Sequence, residues 1–462
     1  MSTGSQQASA APLGAGEPSA EAAAAARRSG PAVAGLFHRS LALVALFAWL
    51  SLASQVKVLV GRRGLEPASE LFARLRASGV GFWDEPSLFW LGQSDGVLLG
   101  GTLAGAALTL FALAGVRPRL CFALSAPLYL SYATACSEFT AFQWDNMLVE
   151  VLALAACLPA DRAAPLAHFA FRALLFKLYF ESGIAKWQSH LHDWQDGSAM
   201  SYYYETAPLP AALAWYAHHL PLAWHRLESW GALALELLVP LLVFGPRAGR
   251  LLAFTAFSGF QVVNTATANY GFFTYLSMTL HLFLLSDGDI ARASRACSRR
   301  LPWLGRWAEP PARSAAPALR PRSSFARRAL ALGALGTWLC ASVAGALLSF
   351  DPAPSERGLG ELYALVSPLR LANVYHLFGH ITRERVEPQF ETQSNGRWTE
   401  HDLRYKPGNV RRRPPYVAPH QPRVDFRLWF YGLSFGRGMP RYVDRLLDLL
   451  CRDPSAVQPL FA

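Results

Sequence analysis

Nine apolar runs separated by short arginine-bearing connectors dominate this 462-residue chain. That pattern constrains the fold most, because a span of about 20 largely apolar residues is what crosses a bilayer as a helix. The runs lie near 37–59, 95–115, 119–137, 142–159, 165–186, 228–245, 250–268, 271–286 and 328–350. Charged residues make up only 16% of the chain, against about 25% in soluble proteins, which points to lipid as the solvent. The expected fold is therefore an all-α polytopic membrane bundle of about nine transmembrane helices. The first run is too long for a signal-peptide core and lacks a clean cleavage site, so it is expected to stay as a helix.

Lysine and arginine in the connectors set an orientation. The stretch 287–328 carries Arg292, Arg295, Arg299, Arg300, Arg306, Arg313, Arg320, Arg322, Arg327 and Arg328 against three acids, and is expected to be cytoplasmic. Counting back through nine spans puts Arg117, Arg119, Arg247 and Arg250 on the same side, and the acidic, His-rich connector 187–227 outside. The connector 61–94 breaks the pattern, with four arginines balanced by four acids. The domains expected are a disordered cytoplasmic tail (1–35), a helical membrane domain (36–286), a basic cytoplasmic loop (287–327), a last span (328–350) and an extracytoplasmic domain (351–462).

That last segment reads as a small β-rich domain. Asn395-Gly396 is a strong hairpin signal between strand-like stretches. Residues 424–431 alternate apolar and polar side chains and read as another strand, while Lys406 to Pro422 is rich in Pro and Arg and reads as loop.

The net charge of +11 is the orientation signal of a membrane protein rather than a nucleic-acid footprint, since no phosphate loop, RNP-like strand or zinc-finger spacing accompanies it. The six cysteines, Cys121, Cys136, Cys157, Cys297, Cys340 and Cys451, form no C-x-x-C pair, so neither a metal site nor a disulfide framework is expected. His190 and His192 alone make a weak metal signal. No cofactor is implied.

Ionisable residues inside apolar spans are costly and default to a functional hypothesis. Here they are Asp145, Glu150, Arg172, Lys177, Glu181 and Glu236, followed by Gln261 and Asn264. At about 1.5 Å of rise per residue, Glu150, Lys177 and Glu236 fall about 12–14 Å below the outer edge. Asp145, Glu181 and Asn264 lie closer to it. Two readings stay open. Lys177 could be the charge partner of Glu150 or Glu236 and the cluster a strut, or the cluster could line a hydrated cavity open to the outside. Lys186, at a membrane boundary, reads either as a snorkelling side chain or as a desolvated base.

Several blocks then become recognisable. Phe142-Gln143-Trp144-Asp145-Asn146-Met147-Leu148-Val149-Glu150 looks like a Q-W-D-x-L-L-x-E segment. Gly183 to Lys186, then Trp194 and Tyr202-Tyr203-Tyr204-Glu205-Thr206-Ala207-Pro208-Leu209, are similar to G-x-x-K … W … Y-H-Y-E-T-Q-P-L. Ala268 to Phe273 resembles G-N-Y-x-F-F. Asn373-Val374-Tyr375, Thr382 to Arg385 and Ala418-Pro419-His420-Gln421-Pro422-Arg423-Val424-Asp425-Phe426 fit in the tail. Together these resemble the lipase maturation factor family over roughly 36–437, with Tyr203, Ala207 and Phe426 replacing a usual His, Gln and Trp.

The resemblance implies a membrane factor that helps exported proteins fold. In animals such factors sit in the endoplasmic reticulum and serve dimeric secreted lipases, with the C-terminal part contacting the client. It makes Tyr204, Glu205, His420, Arg423, Asp425 and Trp429 the candidates for client contact, and an exported protein and the bilayer the expected partners. The Ala, Arg and Leu content hints at a high-GC bacterium, hence an inner membrane and a periplasmic client. A more distant likeness, of G-x-x-K-W and D-W-x-x-G to the membrane domain of vitamin K-dependent carboxylases, implies the alternative of a membrane enzyme using Lys186 as base on a lipid or quinone-like substrate.

Overall fold

Each of the nine apolar runs is helical over most of its length in the computed structural model, which describes residues 30–300, 325–350, 357–409 and 411–462. Most of the expected N-terminal tail and much of the basic loop fall outside the described residues. The helices are α1 (Pro31–Ala53), α2 (Val56–Val60), α3 (Ala68–Ala77), α4 (Asp95–Leu113), α5 (Pro118–Ala135), α6 (Gln143–Ala156) and α7 (Pro165–Trp187). After them come α8 (Ala199–Thr206), α9 (Ala212–His218), α10 (Leu222–Leu238), α11 (Arg247–Thr267), α12 (Phe273–His281), α13 (Asp287–Arg300), α14 (Phe325–Phe350) and α15 (Arg357–Val366). A hairpin, β1 (Phe390–Ser394) and β2 (Arg397–His401), precedes α16 (Arg423–Leu433) and α17 (Arg441–Arg452).

Among the described residues four helices are long and apolar enough to cross a membrane: 31–53, 95–113, 222–244 and 329–350. This is a membrane-embedded, mostly helical protein. The remaining apolar runs differ for readable reasons. α6 has 14 residues, about 21 Å of helix against a hydrocarbon core of about 30 Å. α7 is long enough but carries Arg172, Lys177, Glu181 and Lys186. The first helix begins earlier than expected because Pro31 sits at its first turn, where a missing N–H costs nothing. It breaks after Ala53, where Ser54 and Gln55 bond back to the Ser51 carbonyl.

Two ends of the bundle differ in chemistry. At one, Asp287 accepts from the Gly30 and Val33 amides at the start of α1, at 3.0 and 3.1 Å. Asp289 ion-pairs there with Arg247 and Arg292. Arg250 also stands here, donating to the Leu284 and Gly245 carbonyls at 3.3 and 3.0 Å. The other end is covered by residues 371–462.

The C-terminal segment departs from expectation. The hairpin is present, with Ser394 opposite Arg397. Asn395 and Gly396 both have positive φ, 51° and 76°, as a primed two-residue turn demands. Residues 424–431, however, form helix α16 rather than a strand, so the segment is a two-stranded hairpin among helices and loops and not a β-rich domain. The alternating positions 424 and 428 are also one helical turn apart, and Tyr431 continues the buried stripe with Val424 and Leu428. Pro422 immediately before the helix and Asp425 in its first turn favour that choice.

Candidate functional site

The motif blocks converge where the C-terminal lid meets the bundle, and they do so through buried polar groups. Asp145, in the first turn of α6, is wholly buried and accepts from the two terminal guanidinium nitrogens of Arg423, at 2.8 and 3.0 Å. Tyr129 donates to the same carboxylate at 2.6 Å, and Arg423 also donates to the Phe139 carbonyl at 2.8 Å. A bidentate fork of this kind fixes orientation as well as charge.

The second cluster is deeper. Glu150 receives Trp338 Nε1 at 3.0 Å, Asn373 Nδ2 at 2.8 Å and the Tyr375 hydroxyl at 2.7 Å. Lys177 lies 3.7 Å from Glu150 and donates to Ser342 at 3.0 Å, with the Trp338 and Tyr375 rings 5.6 and 5.5 Å away. Glu181 accepts from the Tyr375 amide at 2.8 Å. Of the two partners expected for Lys177, the structure brings up Glu150.

Glu236 pairs instead with Lys186, at 2.6 Å, both side chains buried. The Lys186 ammonium also donates to the Leu377 carbonyl at 2.8 Å and sits 5.1 Å from the Trp194 ring. Gly183, one turn before Lys186, permits this approach: a Cβ there would lie 2.9 Å from the Glu236 carbonyl carbon. The pair borders a cavity of about 400 Å³ between α7, α10 and α11, which Asn264 also lines.

The other blocks tie the lid down. Asn269 accepts from the Val417 and Ala418 amides at 2.7 and 3.1 Å. Ser51 bonds His420 Nδ1 and accepts the Gln421 amide, both at 3.0 Å. Arg385 grips the Ala207 and Pro208 carbonyls, Trp429 donates to the Thr206 carbonyl at 2.8 Å, and Asp193 accepts the Ile381 amide at 2.9 Å. Asp425 accepts the Tyr405 and Lys406 amides at 3.0 and 2.9 Å, and burial raises its pKa to about 6. Burial, with Arg423 nearby, lowers His420 to about 4.

Of the residues singled out for client contact, Arg423, Asp425 and Tyr204 are buried, and His420 and Trp429 are half-buried and hydrogen-bonded within the fold. Glu205 keeps 53% of its side chain exposed. Tyr129, Trp338 and Ser342 carried no signal within apolar runs. Asn373 and Tyr375 did, since they stand in one of the recognisable blocks. No group of three or more His, Cys, Asp or Glu able to hold a metal occurs among the described residues.

Paired buried charges, a polar interface and a lid define a membrane protein whose intramembrane helices and C-terminal segment act as one unit, and comparison with known proteins gives that unit its family. Residues 32–292 match the lipase maturation factor transmembrane domain and 371–462 match the lipase maturation factor C-terminal domain. The chain belongs to the lipase maturation factor family. It is 30% identical to lipase maturation factor 2 of Rattus norvegicus over 90% of this chain and 74% of that protein. Identity to lipase maturation factor 1 of Bos taurus is likewise 30%, over 85% of this chain and 73% of the relative. Human lipase maturation factor 2 is similar to the same degree, at 30% over 90% and 74%. No solved structure matches the chain significantly. The comparisons lend nothing to the carboxylase-like alternative.

Proposed function

We propose that this protein is an integral membrane factor that assists maturation of exported proteins, lipases first among them. It would be set in a bacterial inner membrane with the arginine-rich end cytoplasmic and the lid in the periplasm. The observation that supports this most is the joining of the lid to the bundle by ion pairs and hydrogen bonds from nearly every family block. A lid so anchored is a rigid platform on the side where exported chains fold.

The burial of Arg423 and Asp425 gives them the task of holding that platform. Client contact then falls to its exposed apolar edge, Phe430, Leu433, Phe435 and Met439, and to Glu205. Exposed apolar side chains rimmed by polar ones are what a partly folded client would meet.

The test is lipase specific activity per unit of secreted antigen in cells with the gene, without it, and with Phe435→Ser/Met439→Ser at matched abundance. The expected outcome is a fall without the gene that the double variant fails to rescue. Full rescue would overturn the assignment of the exposed edge, and no fall without the gene would overturn the lipase client. A Lys186→Ala strain runs beside them. Rescue by Lys186→Ala supports a physical role, whereas failure at matched abundance would revive chemistry at Lys186.

A further inference from the structure

The cavity beside Lys186 is built on two unequal sides. Its wall is mainly apolar, with Leu235, Phe260, Val263 and Phe273 among the residues lining it. α10 and α11 touch each other little, while α10 lies closely on α7. At the gap stand Gly231 and Gly259, both exposed, and a Cβ built on either meets no atom within 4 Å. Trp224 and Val263 line the same space and are themselves exposed, so the cavity reaches the surface of the bundle there. α10 belongs to a segment apolar and long enough to cross the membrane, so with that segment in a bilayer the gap would face lipid.

The inner end is polar, and its hydrogen bonding is incomplete. Gln261 is 1% exposed, and its Nε2 donates to Tyr179 at 2.9 Å and Ser277 at 3.3 Å. Its Oε1 is buried and has no partner among the described residues. A buried acceptor left alone costs about 1–3 kcal/mol, so a donor belongs there. Tyr203 and Tyr270 share one hydrogen bond at 2.6 Å. Two phenols carry two protons, so one remains for an acceptor. Glu228, Glu236 and Lys186 also face the space, and the lysine is already matched by Glu236.

We propose that this cavity binds an uncharged, single-tailed amphiphile with a hydroxyl-bearing head, of the monoacylglycerol type, entering from the bilayer between α10 and α11. The wall takes the tail. A hydroxyl both donates and accepts, and so completes Gln261 Oε1 and the spare phenol proton together. A carboxylate head meets two glutamates and one lysine already paired. An ammonium head offers no acceptor for the phenol proton, and Glu228 is already engaged by the Tyr204 hydroxyl at 2.9 Å and by His225 Nδ1 at 3.4 Å. The volume, about 400 Å³, falls within the usual range for small-molecule pockets.

The experiment uses the full chain purified in detergent and a diazirine-bearing monoacylglycerol analogue activated by light. Crosslinks are expected on peptides from α7, α10 or α11, competed by monoolein but not by oleate or oleylamine at equal concentration. Gly259→Phe, which projects a ring into open space and touches no hydrogen bond, should abolish labelling while the unfolding temperature stays put. Gln261→Leu should weaken it about fivefold, the loss of one hydrogen bond. Undiminished labelling of Gly259→Phe, or equal competition by oleate or oleylamine, would overturn the proposal. Lipase maturation is not read out, so the proposal fails or stands independently of it.

Discussion

Asp145–Arg423 and Lys186–Glu236 are both buried ion pairs at the same end of the bundle, but they are built differently. The first is closed. Its carboxylate takes three donors, its guanidinium is fully buried, and aromatic and backbone groups surround it. The second borders a cavity, and its carboxylate takes no donor besides the lysine among the described residues. A closed pair can only brace, because any exchange of partners exposes a charge to a dry interior. A pair on a cavity has room for a water or a ligand to take over. The contrast separates a strut joining bundle to lid from a site that can change occupancy.

Breaking the strut should have the largest effect. Arg423→Met leaves Asp145 buried and unpaired, with an expected loss of about 3–5 kcal/mol. Thermal unfolding in detergent should show it, and limited proteolysis should release the C-terminal segment first. Adding Asp145→Leu should recover much of that loss, since an apolar pair of similar volume is often neutral. If the double variant were as weak as the single one, the pair's geometry rather than its charge would be what matters.

Lys186→Met should cost less, about 1–3 kcal/mol, because Glu236 beside a cavity can be hydrated or protonated. The same unfolding measurement compares the two. A cost equal to that of Arg423→Met would erase the distinction between them. Gly183→Ala sharpens the point without touching a charge. Its Cβ presses on the Glu236 backbone, and the overpacking should cost about 1–3 kcal/mol.

How much of this was legible in the sequence depends on the range of the contact. The helices and the Asn395-Gly396 hairpin follow from local patterns. The polar cluster also followed, since charges in apolar runs announce themselves. Of their partners, only Glu150 for Lys177 was legible, as one of two open choices, whereas Lys186 with Glu236 and Asp145 with Arg423 were not. Asp145 and Arg423 are 278 residues apart, and each looked like part of a different task. Nothing in local spacing tells a buried arginine from a surface one. The strand expected over 424–431 is a helix because strict alternation runs only over 424–428, where Val424 and Leu428 share a face in a strand and in a helical turn alike.

In the native protein the smallest expected effect is the lid's response to pH, because two of its groups pull in opposite directions. His420 is lowered to about 4 by burial, so the unfolded chain binds its proton more readily than the folded one. Its contribution is therefore lost as pH falls from about 6.5 through about 4. Asp425 is raised to about 6, so the folded state holds its proton more tightly, and stability falls as pH rises from about 4 through about 6. In the native protein the two slopes oppose each other over nearly the same window. His420→Gln should leave a lid that loosens as pH rises from 4 to 6, and Asp425→Asn one that loosens as pH falls from 6.5 to 4. Protease release of the C-terminal segment across that range measures both. Slopes of the same sign in the two variants would show that other groups govern how the lid is held, whereas opposite slopes would tie its pH response to the contacts His420 makes with Ser51 and Asp425 with the 405–406 backbone.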